Sequence, residues 1–376
     1  MPAVSYTLTI GGLPAGEDLL AAIQQIEVED HASMADMVRL RVVMGVADGC
    51  SGWSFVDDDI FERLAKIQIK VAVGSGLEET LMNANIIETN ATFANQPGTS
   101  ILNVVAMDPT VLMNLKQVVK PWPNRSDSDV AQEIFSAPEY GFAPIVDTTN
   151  WRRQENQETL IQRGSDIQFL QELARRNGFE VYIETNGATG VIEGHFHAPR
   201  LDLPPQGVLS VNMRDATNVN SFNASFDMLR PSTVQTRNID INSRETQQSQ
   251  VNSSSSTALG RNTALTSQQP RVILPASTGL ARTGEQQPYA QALADESALA
   301  ITANGELNTA AYGAVMRAKR PIAVRGAGKQ FSGTYYVERV LHVLTADSYK
   351  QNFTLRRNAL GLTNRESFVP STALPA

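Results

Sequence analysis

Residues 66–76 read KIQIKVAVGSG. Ile67, Ile69, Val71 and Val73 fall at every second position, and glycines close the run. Side chains that alternate with period two face opposite sides of an extended backbone, so the stretch predicts a half-buried strand, Lys66–Val73. The turn follows at Gly74-Ser75-Gly76. Residues 79–93, ETLMNANIIETNATF, and 101–108, ILNVVAMD, continue as strands, Leu81–Phe93 and Ile101–Met107, around the turn Asn95-Gln96-Pro97-Gly98. The same grammar returns near the other end as RPIAVRGAGKQ (320–330), FSGTYYVERVLHVLT (331–345) and QNFTLRRNA (351–359). Each block is strand, glycine turn, long strand, polar turn, strand. Matching order and lengths predict two similar β units.

Around these blocks the first hundred residues are mostly strand. Val4–Ile10, Ile23–Val28 and Met37–Met44 alternate, with DHASMADM a polar break between the last two. Short strands joined by turns predict a sandwich or barrel. From Asp108 the texture changes: helices are predicted at Val111–Val118, broken by Pro121-Trp122-Pro123, and at Asp127–Phe135. Residues 165–184, SDIQFLQELARRNGFEVYIE, are the clearest helix. Ser165 and Gln168 form a capping-box pattern, Ile167, Leu170, Leu173 and Ala174 make one apolar stripe, and Gly178 stops it before an alternating strand. Its Glu, Arg and Asp residues all have structural assignments. Val191–His197, Val208–Val211 and Ser221–Phe226 are predicted strands. Residues 246–269, rich in Ser, Gln, Asn and Thr, predict a long flexible loop. Gln287–Ala303 and Asn308–Ala318 predict helices, and Pro321–Leu360 strands.

The chain has 376 residues, 42 % hydrophobic and 19 % charged, enough for two or three domains. A net charge of -8 argues against a basic nucleic-acid groove. The pairs Arg152-Arg153 and Arg356-Arg357 are expected on the solvated surface. The start, MPAVSYTLTIGG, lacks the features of a secretory signal, and no apolar run is long enough to span a bilayer. The single cysteine, Cys50, excludes an intramolecular disulfide and reads as an ordinary free thiol.

Candidate chemistry is sparse. His195 and His197 share a strand face and Glu193 lies near, a metal pattern short of the usual ligand count, so paired structural histidines are expected. Asp57-Asp58-Asp59 lacks calcium-loop spacing and reads as an acidic turn or helix start. Gly326-Ala327-Gly328 follows a strand and is expected to open no helix, which disfavours a phosphate cradle. His342 is expected to be buried or at an interface. The expectation is therefore no catalytic, cofactor-binding or metal residues, no cofactor and no enzyme.

Three segments together resemble the tail-hub family of contractile injection particles, which includes phage late control gene D proteins and the hub portions of VgrG-type proteins. They are IEVEDHASMADMVRLRVVM (26–44), SDIQFLQELARRNGFEVYIE (165–184) and GTYYVERVLHVLTADSYKQNFTLRRNAL (333–360), with ILNVVAMD before a helix also fitting. The likeness runs from about 4 to 362, and segment 240–320 does not contribute to it. It implies an α+β, mostly β chain with two similar β-barrel domains, 1–110 and 185–240 plus 320–363. An α/β middle segment, 111–184, lies between them, with a flexible insertion at 241–319 and a tail at 364–376. It also implies a homotrimer whose six units meet a sixfold inner tube and whose threefold axis meets a spike. Partners would be the spike protein, the inner tube protein and other baseplate proteins, with no nucleic acid and no direct membrane insertion. The chain would be made in the bacterial cytoplasm without a signal peptide and built into a particle. Because the chain ends without a spike sequence, the spike is expected to be separate. The alternatives are a cargo- or effector-binding adaptor using 246–269, and a peptidoglycan hydrolase using two carboxylates.

Overall fold

The structure is a computed structural model that describes residues 4–46, 52–74, 77–96, 98–153, 155, 159–187, 189–239, 246–266, 270–275 and 283–368. Cys50, Ser75, Gly76, Pro97 and residues 267–269 and 369–376 lie outside the described residues.

The N-terminal part comprises β1 (Val4–Ile10), β2 (Leu13–Pro14), α1 (Glu17–Ala22), β3 (Ile23–His31), β4 (Met37–Val43), β5 (Lys66–Val73), β6 (Glu79–Thr92) and β7 (Ile101–Met107). The middle holds β8 (Gln117–Trp122), α2 (Asp127–Phe135), β9 (Ala143–Val146), β10 (Leu160–Ser165), α3 (Asp166–Asn177), β11 (Glu180–Thr185) and β12 (Ile192–His197). After β13 (Val208–Ser210) and β14 (Val219–Phe226) come β15 (Ser232–Ile239), β16 (Thr246–Val251), β17 (Asn262–Thr263), β18 (Arg271–Ile273) and α4 (Thr283–Ala298). The chain continues through β19 (Ile301–Leu307), α5 (Thr309–Tyr312), β20 (Pro321–Arg325), α6 (Gly328–Phe331), β21 (Gly333–Leu344), β22 (Tyr349–Arg357) and β23 (Ala359–Leu360).

The architecture is mostly β. One 13-stranded sheet runs β14-β19-β22-β21-β3-β4-β7-β6-β5-β1-β2, and β20 joins β21 and carries β13. Alternation explains the strands: Ile67, Ile69, Val71 and Val73 of β5 are all buried, each contributing about 1.5–3 kcal/mol by leaving water. One core lies under β1 and β3–β7, and a second under β14, β19–β22 and neighbouring segments.

The repeated strand grammar reaches down to the hydrogen-bonded rungs. In the first block Lys66 faces Asn85 and Ile67 faces Ala84; in the second Pro321 faces Tyr336 and Ile322 faces Tyr335. The long strand then bulges at the same place, between Ile86 and Glu88 in β6 and between Val337 and Arg339 in β21. The likeness extends to two more strands. β3-β4-β7-β6-β5 corresponds to β14-β19-β22-β21-β20, and β3 and β14 bulge at matching points, Ile23/Gln25 and Val219/Ser221. A bulge re-aims the strand that carries it, so two shared bulges mean two sheets bent alike. The outermost strands differ, since β1 joins β5 antiparallel whereas β13 joins β20 parallel.

The middle packs on its own core. Ile167, Leu170, Leu173 and Ala174 are buried as the stripe requires, and Phe169 joins them. Gln168 Oε1 accepts the Ser165 N–H at 3.2 Å, and Gly178 closes α3 at φ 67°.

Four expectations are corrected. The helix expected at Val111–Val118 is a short 3-10 helix, Pro109–Asn114, followed by β8, which contains Pro121 and Trp122. Among the described residues β8 pairs with β10 alone, which makes it an edge strand, where proline is tolerated. The stretch 246–269 holds β16, whose partner β15 supplies a ladder that composition does not reveal, and Val251, Leu259 and Leu265 are buried there. The helix expected at Gln287–Ala303 is present in α4 only as far as Ala298 and then gives way to β19, and the one expected at Asn308–Ala318 shrinks to the four-residue α5. Gly326-Ala327-Gly328 does lead into a helix, though only the four residues of α6.

Candidate functional site

The polar break between β3 and β4 is buried. Asp30 and Asp36 flank it, and both grip Lys319, which precedes β20 in the second half of the chain. Lys319 Nζ lies 2.6 Å from Asp30 Oδ1 and 2.8 Å from Asp36 Oδ2. The remaining acceptors are filled by backbone: Asp30 Oδ2 takes the Ala318 N–H (2.9 Å) and Asp36 Oδ1 the His31 N–H (2.7 Å). Asp108, at the end of β7, accepts the Asp36 N–H at 2.7 Å. Arg317, two residues before Lys319, donates to the Leu81 carbonyl at 2.6 Å and to that of Thr80 in β6.

Burial opposes ionisation of Asp30, but Lys319 outweighs it, with help from Arg317 and the Ala318 N–H, and brings the carboxyl down to about 2. Burial, only partly offset by Lys319 and reinforced by Asp30 and Asp108, pushes Asp36 up. Burial also raises Asp108. Lys319 is itself held protonated, since its acidic neighbours overcome its burial. A buried cation with its acceptors in place ties the parts that supply them, because separating them strands a charge. This arrangement fastens the segment before β20 to β3, β4 and β6.

The cluster opens on a cleft of about 570 Å³ whose other wall is Tyr182, Glu184, His195 and His197. Tyr182 stacks on His195, with ring centroids 4.4 Å apart. His195 Nδ1 and the Tyr182 hydroxyl each lie 3.2 Å from His197 Nε2. His197 Nδ1, 2.8 Å from the Ala198 carbonyl, is the donor to it, so Nε2 is free to accept. Burial drives His195 down to about 3, with His197 adding to the effect, and burial lowers His197 as well. Glu193 Oε2 lies 3.4 Å from His195 Nε2. Among the described residues no group of three or more His, Cys, Asp and Glu is placed to hold a metal ion.

The other sequence candidates are scattered. Asp57 and Asp58 accept backbone N–H groups of Trp53 (2.6 Å) and Phe55 (3.0 Å), and Asp59 starts a 3-10 turn. His342 is buried on β21, 2.8 Å from the Tyr349 hydroxyl, and burial lowers it to about 3. Two arginines expected at the surface are buried. Arg153 pairs with Asp127 at 2.8 Å, and Arg357 donates to the carbonyls of Leu259, Gln330, Ser332 and Gly361. A guanidinium can be buried when its fork is filled, and sequence does not announce those carbonyls. The Lys319 cluster was not anticipated either. Its one signal is the acid-rich break DHASMAD between two strands with buried faces.

Solved structures share this fold. A tail protein from Neisseria meningitidis matches with a TM-score of 0.65 at 11 % identity, covering 94 % of this chain and 97 % of its own. The 43 kDa tail protein of prophage MuSo2 from Shewanella oneidensis matches at 0.64 and 13 % identity, covering 95 % and 100 %. An Escherichia coli component of the type VI secretion system matches at 0.57 and 11 % identity, covering 96 % and 80 %. No curated protein matches the chain. Residues 3–346, which run from the first sheet unit through the middle and the insertion to the end of β21, match the family model described as the Alg8 N-terminal domain, and to that family the chain belongs.

Proposed function

We propose that the chain is the structural hub of a phage tail or contractile injection system, a trimeric adaptor joining a sixfold inner tube to a threefold spike. The observation that carries this reading is the pair of sheet units matched rung by rung, bulges included. Three chains bearing two like units each present six near-equivalent faces while keeping true threefold symmetry. The fold shared with tail proteins and with a type VI secretion component fits this role. The chain then works through interface energy, breaks no bond, and resides in an assembled particle beside spike, tube and other baseplate proteins. Within it, the first unit takes β1–β7 and the second β13, β14 and β19–β22. The segment 227–300 is an insertion in the hairpin that corresponds to β3–β4.

The test is the mass of the purified chain by light scattering, alone and with candidate spike and tube proteins. Three subunits of 40.9 kDa give about 123 kDa. A chain that stays monomeric in every mixture overturns the reading.

A further inference from the structure

Resting on the ring reading above, we infer that β14 of one copy pairs with the C-terminal half of β6 in the next, extending the sheet from chain to chain.

The template is inside the molecule. One edge of β21 carries β22. Its other edge carries β20 along residues 333–336 and then β3 along 339–344. One edge of β6 likewise carries β7, and its other edge carries β5 along residues 79–85. Beyond that point, where β3 would sit, no strand among the described residues pairs with β6. The strand corresponding to β3 is β14, which ends the sheet, its outer edge without a partner strand among the described residues. The two ends of one seam are therefore open on the same chain. They are too far apart in strand order to meet each other, so a second copy supplies each partner. Such a contact is heterologous, and repeated it closes a ring when its rotation allows.

Register follows from the shared bulges. Within the chain Val340 faces Asp30, His342 faces Val28 and Leu344 faces Ile26. Transferred to the equivalent residues, Thr89 faces Phe226, Ala91 faces Ala224, Thr92 faces Asn223 and Phe93 faces Phe222 of the neighbouring copy.

Exposure fits this placement. Residues 87–90 of β6 are exposed in succession, which breaks the alternation of a strand covered on one face. At the two ends of the proposed seam stand exposed apolar side chains, Phe93 at 55 % and Met228 at 72 %. In the internal seam Ala32 N–H donates to the Glu338 carbonyl at 2.8 Å. The equivalent pair is Met228 and Ile87, the latter 37 % exposed. The internal Arg339–Glu29 ion pair has no charged counterpart, because Glu88 and Ser225 hold those places. Asp227, opposite Glu88, turns its carboxylate into its own turn, accepting Leu229 and Arg230 N–H groups at 3.0 and 3.2 Å. Backbone ladder and apolar ends therefore carry this contact.

The test is oxidative cross-linking in a Cys50→Ser background. Ala91→Cys with Ala224→Cys, and separately Thr92→Cys with Asn223→Cys, place thiols on two successive rungs, which covers both kinds of antiparallel pair. The expected result is conversion of the monomer band to covalent species of two and three chains for at least one pair. The pair shifted by one residue, Ala91→Cys with Ser225→Cys, should leave monomer. Masses under reducing conditions check that the variants assemble like the unsubstituted chain. A trimer in which neither matched pair cross-links overturns the seam and leaves the ring reading standing. A monomer overturns both, and equal cross-linking by the shifted pair overturns the register.

Discussion

Leu64 and Lys319 hold the same place in the two sheet units. Each is a non-glycine residue in the left-handed region, at φ 63° and 65°, and each donates its N–H at 2.8 Å to the carbonyl just before a bulge, Ile86 or Val337. The backbone device is duplicated, but the side chains have diverged: Leu64 is half-buried, while Lys319 is buried among acids. A left-handed conformation costs a side chain roughly 1–2 kcal/mol. Leu64→Gly relieves that strain while losing some apolar contact, and stability is expected to change by less than about 1 kcal/mol. Lys319→Gly relieves the same strain but strands the carboxylates, at a cost of about 3–5 kcal/mol. Urea unfolding of both variants checks the contrast.

Acidification should act through His342. Burial lowers its folded pKa to about 3, against about 6.5 when unfolded. Between those values the unfolded chain holds the extra proton, so this residue's contribution is complete above pH 6.5 and is lost as the pH falls toward 3. The loss is roughly 2 kcal/mol between pH 7 and 5. Glu180, raised to about 7 by burial, has the opposite sign, because its protonated form is favoured by folding. The clean readout is therefore the difference between variants: His342→Gln should show a shallower fall in stability from pH 7 to 5 than the unsubstituted chain.

Two helix-ending glycines should respond unequally to alanine. Gly178 (φ 67°) and Gly313 (φ 74°) are both left-handed, so each substitution costs about 1 kcal/mol in conformation. A Cβ at Gly313 meets nothing within 4 Å, whereas one at Gly178 comes within 2.9 Å of the Ala292 Cβ on α4. Gly178→Ala is expected to lower Tm by clearly more than Gly313→Ala, with α3 or α4 forced to shift.

Arg357→Lys should be severe despite keeping the charge. One ammonium cannot reach the carbonyls of Leu259, Ser332 and Gly361 that the planar fork serves together. Each buried acceptor left open costs about 1–3 kcal/mol, so a loss of about 3 kcal/mol or more is expected in denaturant titration.

The paired strand blocks were legible because period-two alternation survives in both; Lys66–Val73 and Ile101–Met107 match their predicted limits. The capping and stop signals of α3 were equally plain. What escaped notice depends on distant partners. β16 reads as loop because Gln and Ser fill it, and only pairing with β15 makes it a strand. Lys319 lies 289 residues from Asp30, and no local pattern links a lone lysine to an acidic turn that far away. The segment expected as an insertion, 241–319, contains β19, whose sequence ITANGEL alternates weakly and takes its place in the large sheet from β14 and β22 on either side.

Phe226 and Ile301 are opposite residues on one rung, yet 74 residues of chain lie between them. The chain leaves the ladder at one point and re-enters at its neighbour, and the excursion brings its own small core of Val234, Val251, Leu265, Ala290 and Ala294. That hairpin tip is a graft point: a module with adjacent ends can be spliced there without disturbing the rungs below, so the periphery of such a chain can diversify while its strand pairing stays fixed.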